Sequence, residues 1–408
     1  MELLYRRCAG LDVHQKTVVA CARIVSDGKV SEEVRTFETT TKGLLELASW
    51  LEAEGVTHVA MEATGVYWKP VWHVLESKFE LVLANAAHIK NVPGRKTDVA
   101  DAVWIGDLLA HGLIRGSFVP PTPIQDMRAL MRTRKQLVRE ATRHTQRIQK
   151  ALEDANVKLT SVISNILGKS GRAVLNALVA GETDPEKLAD LTSGRLKAPR
   201  EVLVEALRGK VRDQHRFLIK LHLDQLDALN KAVGELEARV EEHLSPFRKN
   251  VELLTTMPGI SEVAANVIVS EIGCDMARFP SAGHLVSWAG LCPRADQSAG
   301  KRRSSRIRHG APWLKTTLVQ CAWAAIRTKD SYLRAQFHRL KSRVGPMKAI
   351  IAVAASMLTA AYHMLTTGHP YKDLTGAHFD RRDHAKLTKR LVRRLEHLGL
   401  KVTLEQAA

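Results

Sequence analysis

The chain has 408 residues, of which 45% are hydrophobic and 25% charged, so it is long enough for two or three domains with real hydrophobic cores. Its 61 Lys and Arg residues against 43 Asp and Glu residues give a formal net charge of +18. This excess indicates a polyanionic partner, with nucleic acid ahead of an anionic membrane surface. The five cysteines are scattered and form no CxxC pair, which argues against a zinc site or a disulfide framework.

Two segments bear on a membrane location. The N-terminal stretch MELLYRRCAG lacks the apolar run of a signal peptide. The alanine-rich stretch 347–365 is barely long enough to cross a bilayer and carries Lys348 and His363, so we predict a buried helix of a C-terminal domain instead. The sequence therefore predicts a soluble, cytoplasmic protein with no membrane partner.

The first 120 residues predict an α/β domain. The expected elements are three strands within 8–37, a helix with Thr41 as its N-cap, a strand at 57–63, a helix at 68–78, a strand at 80–86 and a helix from Asp98 to about His111. A three-stranded meander to which parallel strands are added is the layout of an RNase H-like fold.

A long basic helix is predicted at 127–150, beyond a proline-marked boundary at 119–125. Its candidate nucleic-acid contacts are Arg128, Arg132, Arg134, Lys135, Arg139, Arg143 and Arg147. Charge runs on helices usually face solvent. Here the excess has one sign, so a helix that follows phosphates is as well supported as a solvated face.

The rest of the chain is predicted to be helical. Leucine and valine residues spaced through 221–240 indicate one arm of a coiled coil, or a long hairpin, used for self-association. The predicted domains are an RNase H-like domain at 1–120, a basic helical and coiled-coil region at 121–250, a mostly α-helical domain at 251–375 and a basic tail helix at 376–408.

Four acidic residues stand where the predicted fold would gather them. Asp12 interrupts the apolar first strand, and Glu62 follows an apolar run in the strand at 57–63. Asp98 and Asp101 lie one turn apart at a helix start. Taken singly, Asp12 could face water at a sheet edge, and the helix acids could complement the helix dipole. Gathered together, four carboxylates need a compensating cation, and oxygen-only ligands suit Mg²⁺ or Mn²⁺.

A second group of functional candidates surrounds Ser298, within residues 290–318. Its cations are Arg294, Lys301, Arg302, Arg303, Arg306 and Arg308. In one interpretation this is a basic DNA-contact loop whose serines are only polar filler. In the other, one serine attacks phosphorus and the arginines neutralise the charge of the transition state. The residues alone leave both interpretations open.

A short motif lies upstream of this loop. TTMPGISEVAANVIVSEIG, residues 255–273, resembles a helix-hairpin-helix element, in which the turn at 258–260 would direct backbone N–H groups at a phosphate. A plain connection between two helices is the alternative.

Five blocks of the sequence, GLDVH, MEATGVYW, GRKTDVADA, MPGI and LCPRADQSAGKRRSSRIRHGAPWLKTTL, together resemble the DEDD insertion-sequence transposases. The resemblance covers about 5–115 and 250–370, and it implies a RuvC-like N-terminal domain and a C-terminal transposase domain. The four acidic ligands of the family fall on Asp12, Glu62, Asp98 and Asp101, and its nucleophilic serine falls on Ser298.

The resemblance implies a recombinase that links DNA covalently to a serine and uses Mg²⁺ or Mn²⁺. It also implies guidance by a bridge RNA that pairs with donor and target double-stranded DNA, and homodimers that join into tetramers. Such a protein would work in the bacterial cytoplasm, on the nucleoid when bound to DNA. One alternative is a RuvC-like endonuclease that uses the carboxylates alone. Another is a non-catalytic nucleic-acid-binding protein.

Overall fold

The computed structural model describes residues 3–26, 28–63, 65–84, 98–192, 198–293, 296–298, 300–304, 306–307, 310–382 and 384–404. The chain folds into two compact units, Met1–Val119 and Pro120–Ala408. The further domain boundaries expected near 250 and 375 remain predictions.

The first unit contains a five-stranded sheet. Its strands are β1 (Arg7–Val13), β2 (Thr17–Ser26), β3 (Lys29–Glu38), β4 (His58–Glu62) and β5 (Glu80–Ala84). Their order in the sheet is β3-β2-β1-β4-β5. The first three strands pair antiparallel, whereas β4 joins β1 and β5 joins β4 in parallel. The predicted meander with parallel additions is confirmed.

Helices cover both faces of this sheet, and period-two alternation assigns the strand residues to them. Helices α1 (Thr41–Ala53) and α2 (Trp68–Leu75) pack on the face that carries Leu11 and Val13. Helix α3 (Asp98–Ala110) packs on the face that carries Cys8 and Ala60. The N-cap of α1 is Thr40 rather than the predicted Thr41, because the Thr40 hydroxyl accepts a hydrogen bond from the backbone N–H of Gly43 at 3.2 Å.

Backbone lies directly on backbone where α3 crosses β1. A Cβ atom added to Gly10 would lie 2.2 Å from the carbonyl oxygen of Ala102 and 2.3 Å from the backbone nitrogen of Gly106. No real side chain tolerates such distances, so only glycine fits at position 10. At this crossing the distance between α3 and β1 is therefore set by direct contact between their main chains.

The second unit is largely helical. Its first helices are α4 (Thr122–Asp154), α5 (Leu159–Val162), α6 (Lys169–Ala180), α7 (Pro185–Asp190), α8 (Arg200–Leu207) and α9 (Asp213–Leu244). The two long helices, α4 and α9, pack against each other within the chain. Ile148 and Leu152 of α4 share a buried core with Ile219 and Leu223 of α9. The use of α9 as a coiled-coil arm between subunits stays a prediction.

The helices of the C-terminal half follow a 3-10 turn at Ser245–Phe247. They are α10 (Arg248–Thr255), α11 (Glu262–Ile272), α12 (Ala282–Trp288), α13 (Pro312–Ala325), α14 (Tyr332–Val344), α15 (Pro346–Thr367), α16 (His378–Arg382) and α17 (His384–Glu396). By length and composition α15 could cross a membrane, but it packs against α12, α13 and α14 and buries Ile350, Met357 and Leu358. It is the buried helix that the sequence predicts at 347–365.

Candidate functional site

Asp12 and Glu62 occupy equivalent positions on neighbouring parallel strands. The ladder between β1 and β4 pairs Gly10 with Ala60, which lie two residues before the two acids. Because side chains alternate between the faces of a sheet, each acid shares the face of the residue two positions earlier. Gly10 and Ala60 both face α3. The two carboxylates therefore lie on the α3 side, at the carboxyl ends of their strands.

The first turn of α3 reaches the same edge of the sheet. The helix runs antiparallel to β1, because Leu4 and Tyr5 donate backbone hydrogen bonds to the carbonyl of Ala110 at 2.8 and 3.1 Å. The segment that lies over Gly10 begins at residue 102, so the turn from Asp98 to Asp101 extends toward the end of β1 that holds Asp12. The backbone thus brings the four predicted acids to one edge. The Asp98 side chain lies outside the part of the chain that the structure describes.

The Asp12 carboxylate is largely shielded from solvent. Its side chain is 14% exposed, and one oxygen lies 3.0 Å from Nε2 of His14. Sequence reasoning did not assign a role to His14. Placed two residues on from Asp12, it can hold the carboxylate in one orientation.

The predicted metal site has suitable ligand types, but the described side chains do not form a ligand cluster. Partly buried carboxylates are the oxygen donors that Mg²⁺ and Mn²⁺ prefer. Among the side chains that the structure describes, no three His, Cys, Asp or Glu residues are close enough to hold a metal ion. A complete set of four carboxylate ligands would include Asp98 and would need the carboxylates to lie closer together. The metal site therefore stays a prediction.

Ser298 is the last residue of a strand at the tip of a hairpin. The hairpin consists of β6 (Asp296–Ser298) and β7 (Lys301–Ser304), and its register pairs Ser298 with Lys301 across a two-residue turn. Gly300 adopts the positive φ of 74° that such turns require. The backbone therefore places Ser298 and Lys301 at the turn end of the hairpin.

Two close backbone contacts lie at the base of this hairpin. Pro293 and Ile307 form an isolated bridge below it. Gly310, at a φ of 52°, lies so close to Gly290 that an added Cβ would come within 2.4 Å of its Cα. Arg306 is exposed. Of the other predicted cations, Arg294 and Arg308 lie outside the described residues, as do the side chains of Lys301, Arg302 and Arg303.

Two arginines of the predicted basic helix are ion-paired inside the second unit. Arg132 donates to both oxygens of Glu271 at 2.8 Å, and Arg128 donates to the Glu271 carbonyl at 2.6 Å. The carboxylate is only 2% exposed. Burial lowers the pKa of Arg128 to about 10, with Arg132 adding to the shift and Glu271 opposing it. Arg134 pairs with Glu237. These three cations therefore have acidic partners within the chain.

The other four of the seven predicted nucleic-acid contacts on α4 differ from these three. Lys135, Arg139, Arg143 and Arg147 form no ion pair with a carboxylate in the part of the chain that the structure describes. They recur every four residues, on the same broad face of the helix as Arg128 and Arg132. Trp313, at the start of α13, lies under this face, 5.7 Å from Nζ of Lys135 and 5.4 Å from the guanidinium carbon of Arg139. This unneutralised stripe is the part of the predicted basic helix best suited to phosphates.

The PGI turn is explained by packing. A Cβ atom on Gly259 would lie 2.4 Å from the Cys321 carbonyl, so the turn is pressed against α13. Phosphate binding by the backbone N–H groups of this turn stays a prediction, beside the alternative of a plain connection between α10 and α11.

Comparison with known proteins places these features in a family. A model described as "Transposase", for the DEDD type of IS110, matches residues 9–157, and a model described as "Transposase IS116/IS110/IS902 family" matches residues 251–338. An IS110 insertion-element protein of Streptomyces coelicolor is 27% identical over 69% of this chain and 73% of its own length. The pilin gene-inverting protein of Moraxella bovis is 23% identical over 89% of this chain and 96% of its own length.

The two matched regions contain both candidate sites, the acidic edge in the first and the serine hairpin in the second. The class is therefore that of proteins that rearrange DNA. The chain belongs to the IS110/IS116/IS902 family of insertion-sequence transposases.

Proposed function

We propose that this transposase joins donor and target DNA through a phosphoserine intermediate on Ser298, with Mg²⁺ held by Asp12, Glu62, Asp98 and Asp101. The observation that carries the proposal is the meeting of β1, β4 and the first turn of α3 at one edge of the first unit. The strand order further supports an RNase H-like, RuvC-like fold for this unit. A bound divalent cation would polarise the phosphodiester and stabilise its leaving oxygen.

The serine chemistry balances without an external reagent. The Ser298 hydroxyl loses its proton and forms a bond to phosphorus, while the bond to one deoxyribose oxygen breaks and that oxygen takes up a proton. The energy of the phosphodiester is conserved in the protein–DNA ester, so a DNA hydroxyl can later displace the serine. Cations beside Ser298 on the hairpin would compensate the charge that develops on the phosphoryl oxygens.

The alternative function is a metal-dependent endonuclease that cleaves branched DNA with water. The acidic edge alone supports this alternative, and Ser298 would then only contact DNA. The two functions differ in whether a covalent protein–DNA species forms.

Replacement of Ser298 by alanine is expected to abolish strand exchange and the covalent adduct, because no other group at the hairpin tip supplies the attacking oxygen. Adduct formation would be measured by denaturing electrophoresis of radiolabelled DNA after reaction with the full-length protein. Ser304→Ala is the matched control, since Ser304 lies on the opposite strand of the same hairpin. Strand exchange by the Ser298→Ala protein would eliminate the covalent mechanism.

We also propose that a bridge RNA guides the protein and that the four unneutralised cations of α4 bind it. Protein purified from cells that carry the whole element is expected to hold a discrete RNA, seen as excess absorbance near 260 nm and identified by sequencing. Changing Lys135, Arg139, Arg143 and Arg147 to glutamine should release it, because phosphate contacts supply most of such affinity. Purified protein free of any discrete RNA would contradict the guidance proposal.

A further inference from the structure

A groove of about 520 Å³ opens among α4, α11 and α13 in the second unit. Its walls are largely apolar and include Val138 of α4, with Val263 and Val267 of α11. Val138 and Val263 are both about two-fifths exposed or more, so the groove is open to solvent. These apolar side chains are therefore accessible to a ligand that enters the groove from solvent.

One rim of the groove is cationic. Lys135 and Arg139 line it, one helical turn apart on α4. The Lys135 ammonium donates a hydrogen bond to the hydroxyl of Thr317 at 3.3 Å. Burial and the nearby Arg139 lower the pKa of Lys135. Two cations close together, with no carboxylate ion-paired to either among the described residues, form a site for an anion.

The groove is also lined by neutral polar groups. These are Thr316 and Gln320 of α13. The Thr316 hydroxyl donates to the Pro312 carbonyl, which leaves its oxygen able to accept a further hydrogen bond. Gln320 carries both a donor and an acceptor and is exposed. Apolar walls, cations that attract a phosphate and a side-chain amide are together features with which proteins bind a single nucleotide.

We propose that this groove holds one unpaired nucleotide, with its base between the valine-lined walls and its phosphate at Lys135 and Arg139. The inference rests on the proposed binding of nucleic acid along α4, since Arg143 and Arg147 continue the cationic stripe away from the groove. A base paired inside a duplex cannot enter a slot walled by three helices. The nucleotide therefore belongs to a single-stranded segment, of RNA or of displaced DNA.

The variant that tests this site is Val263→Trp, which places an indole in the open mouth of the groove. Val263 is 45% exposed, so the larger side chain can be accommodated without opening the core. Val202→Trp is the matched control, because Val202 is also an exposed valine, 52% exposed, on α8 away from the groove. Melting curves of both full-length variants would show whether either substitution disturbs the fold.

The probes are short oligo(rU) and oligo(dT) strands, each carrying one photoreactive thio-substituted base, and the same DNA strand annealed to its complement. Irradiation is expected to crosslink the single strands to peptides that contain Val263 or Gln320. Val263→Trp should lower single-strand affinity about tenfold, the scale of one base-stacking contact, and leave duplex affinity unchanged. The better-bound strand identifies RNA or DNA as the source of the nucleotide.

Single-strand affinity that is equal in wild type and Val263→Trp, with crosslinks elsewhere, would overturn the nucleotide site while leaving nucleic-acid binding by α4 intact. Wild-type protein that binds neither single strands nor duplex would overturn both. An equal loss of affinity in Val202→Trp and Val263→Trp would also overturn the site, because the effect would not depend on the groove.

Discussion

Replacing Asp12 with asparagine is expected to lower recombination by about a thousandfold or more, with little change in melting temperature. The side chain stays nearly isosteric, so β1 and its packing are preserved. The negative charge at the carboxyl end of β1 is lost, and with it a ligand for the divalent cation that the proposed mechanism requires. Losses of about a hundredfold to a thousandfold already follow removal of a single hydrogen-bond donor from an oxyanion hole.

The measurement is the yield of joined product from donor and target plasmids at saturating Mg²⁺. Glu46→Gln on α1 is the control, because Glu46 is exposed and lies on a helix that covers the opposite face of the sheet. Chelation of divalent cations should reduce the wild-type protein to the level of the Asp12→Asn protein. If the Asp12→Asn protein recombined DNA as well as wild type, the acidic edge would have no catalytic role. The first unit would then act only in binding nucleic acid.

The Asp12→Asn variant also tests whether the acidic edge and Ser298 act together within one subunit or across two. We propose that the acidic edge of one subunit acts with Ser298 of another. A mixture of the Asp12→Asn and Ser298→Ala proteins would then recover part of the activity, because a mixed dimer contains one intact pairing. An inactive mixture would place both sites in one subunit, provided that mixed dimers are shown to form.

The second large effect is expected on stability. Glu271→Ala should destabilise the second unit by about 3 kcal/mol, because it leaves Arg128 and Arg132 partly buried without their counter-ion. Chemical denaturation followed by circular dichroism would measure the change in the free energy of unfolding. DNA binding by the folded variant should persist, since Glu271 faces the protein interior.

Glu237→Ala is the matched control for this experiment. Glu237 also pairs with an arginine of α4, but its side chain is 51% exposed, whereas that of Glu271 is 2% exposed. Exposed ion pairs contribute about 1 kcal/mol or less, so the control should be close to wild type. Equal destabilisation by the two substitutions would mean that burial of Glu271 adds nothing to the strength of its pairing.

Local sequence patterns were sufficient for the sheet and for the positions of the two acids on it, Asp12 and Glu62. Alternation of apolar residues located the strands, and an acid beside Leu11 or Met61 stood out against that alternation. The meeting of β4 with β1 follows from general rules of strand order. The crossing of α3 over Gly10 does not, because it depends on which backbones touch, and one glycine among 25 carries no local signal.

For the basic helix α4, the sequence could not show which cations have acidic partners. The seven candidate cations on α4 look equivalent in the sequence, which shows only a run of one sign. The acidic partners of three of them lie about a hundred or more residues away, as with Arg132 and Glu271, which are separated by 139 positions. The available signal was Glu271 itself, an acid in the apolar stretch NVIVSEIG that needs a buried cation. No feature of the sequence indicated that Trp313 lies beside Lys135 and Arg139.

The contact at Gly10 has a consequence for how this protein can change over generations. Side-chain cores drift readily, since swaps of similar volume usually cost less than about 1.5 kcal/mol. The distance between α3 and β1 does not depend on such a core at that crossing, where main chain meets main chain. Mutations elsewhere in the unit can therefore accumulate without moving the first turn of α3 away from Asp12. A single methyl group at position 10 would move it at once.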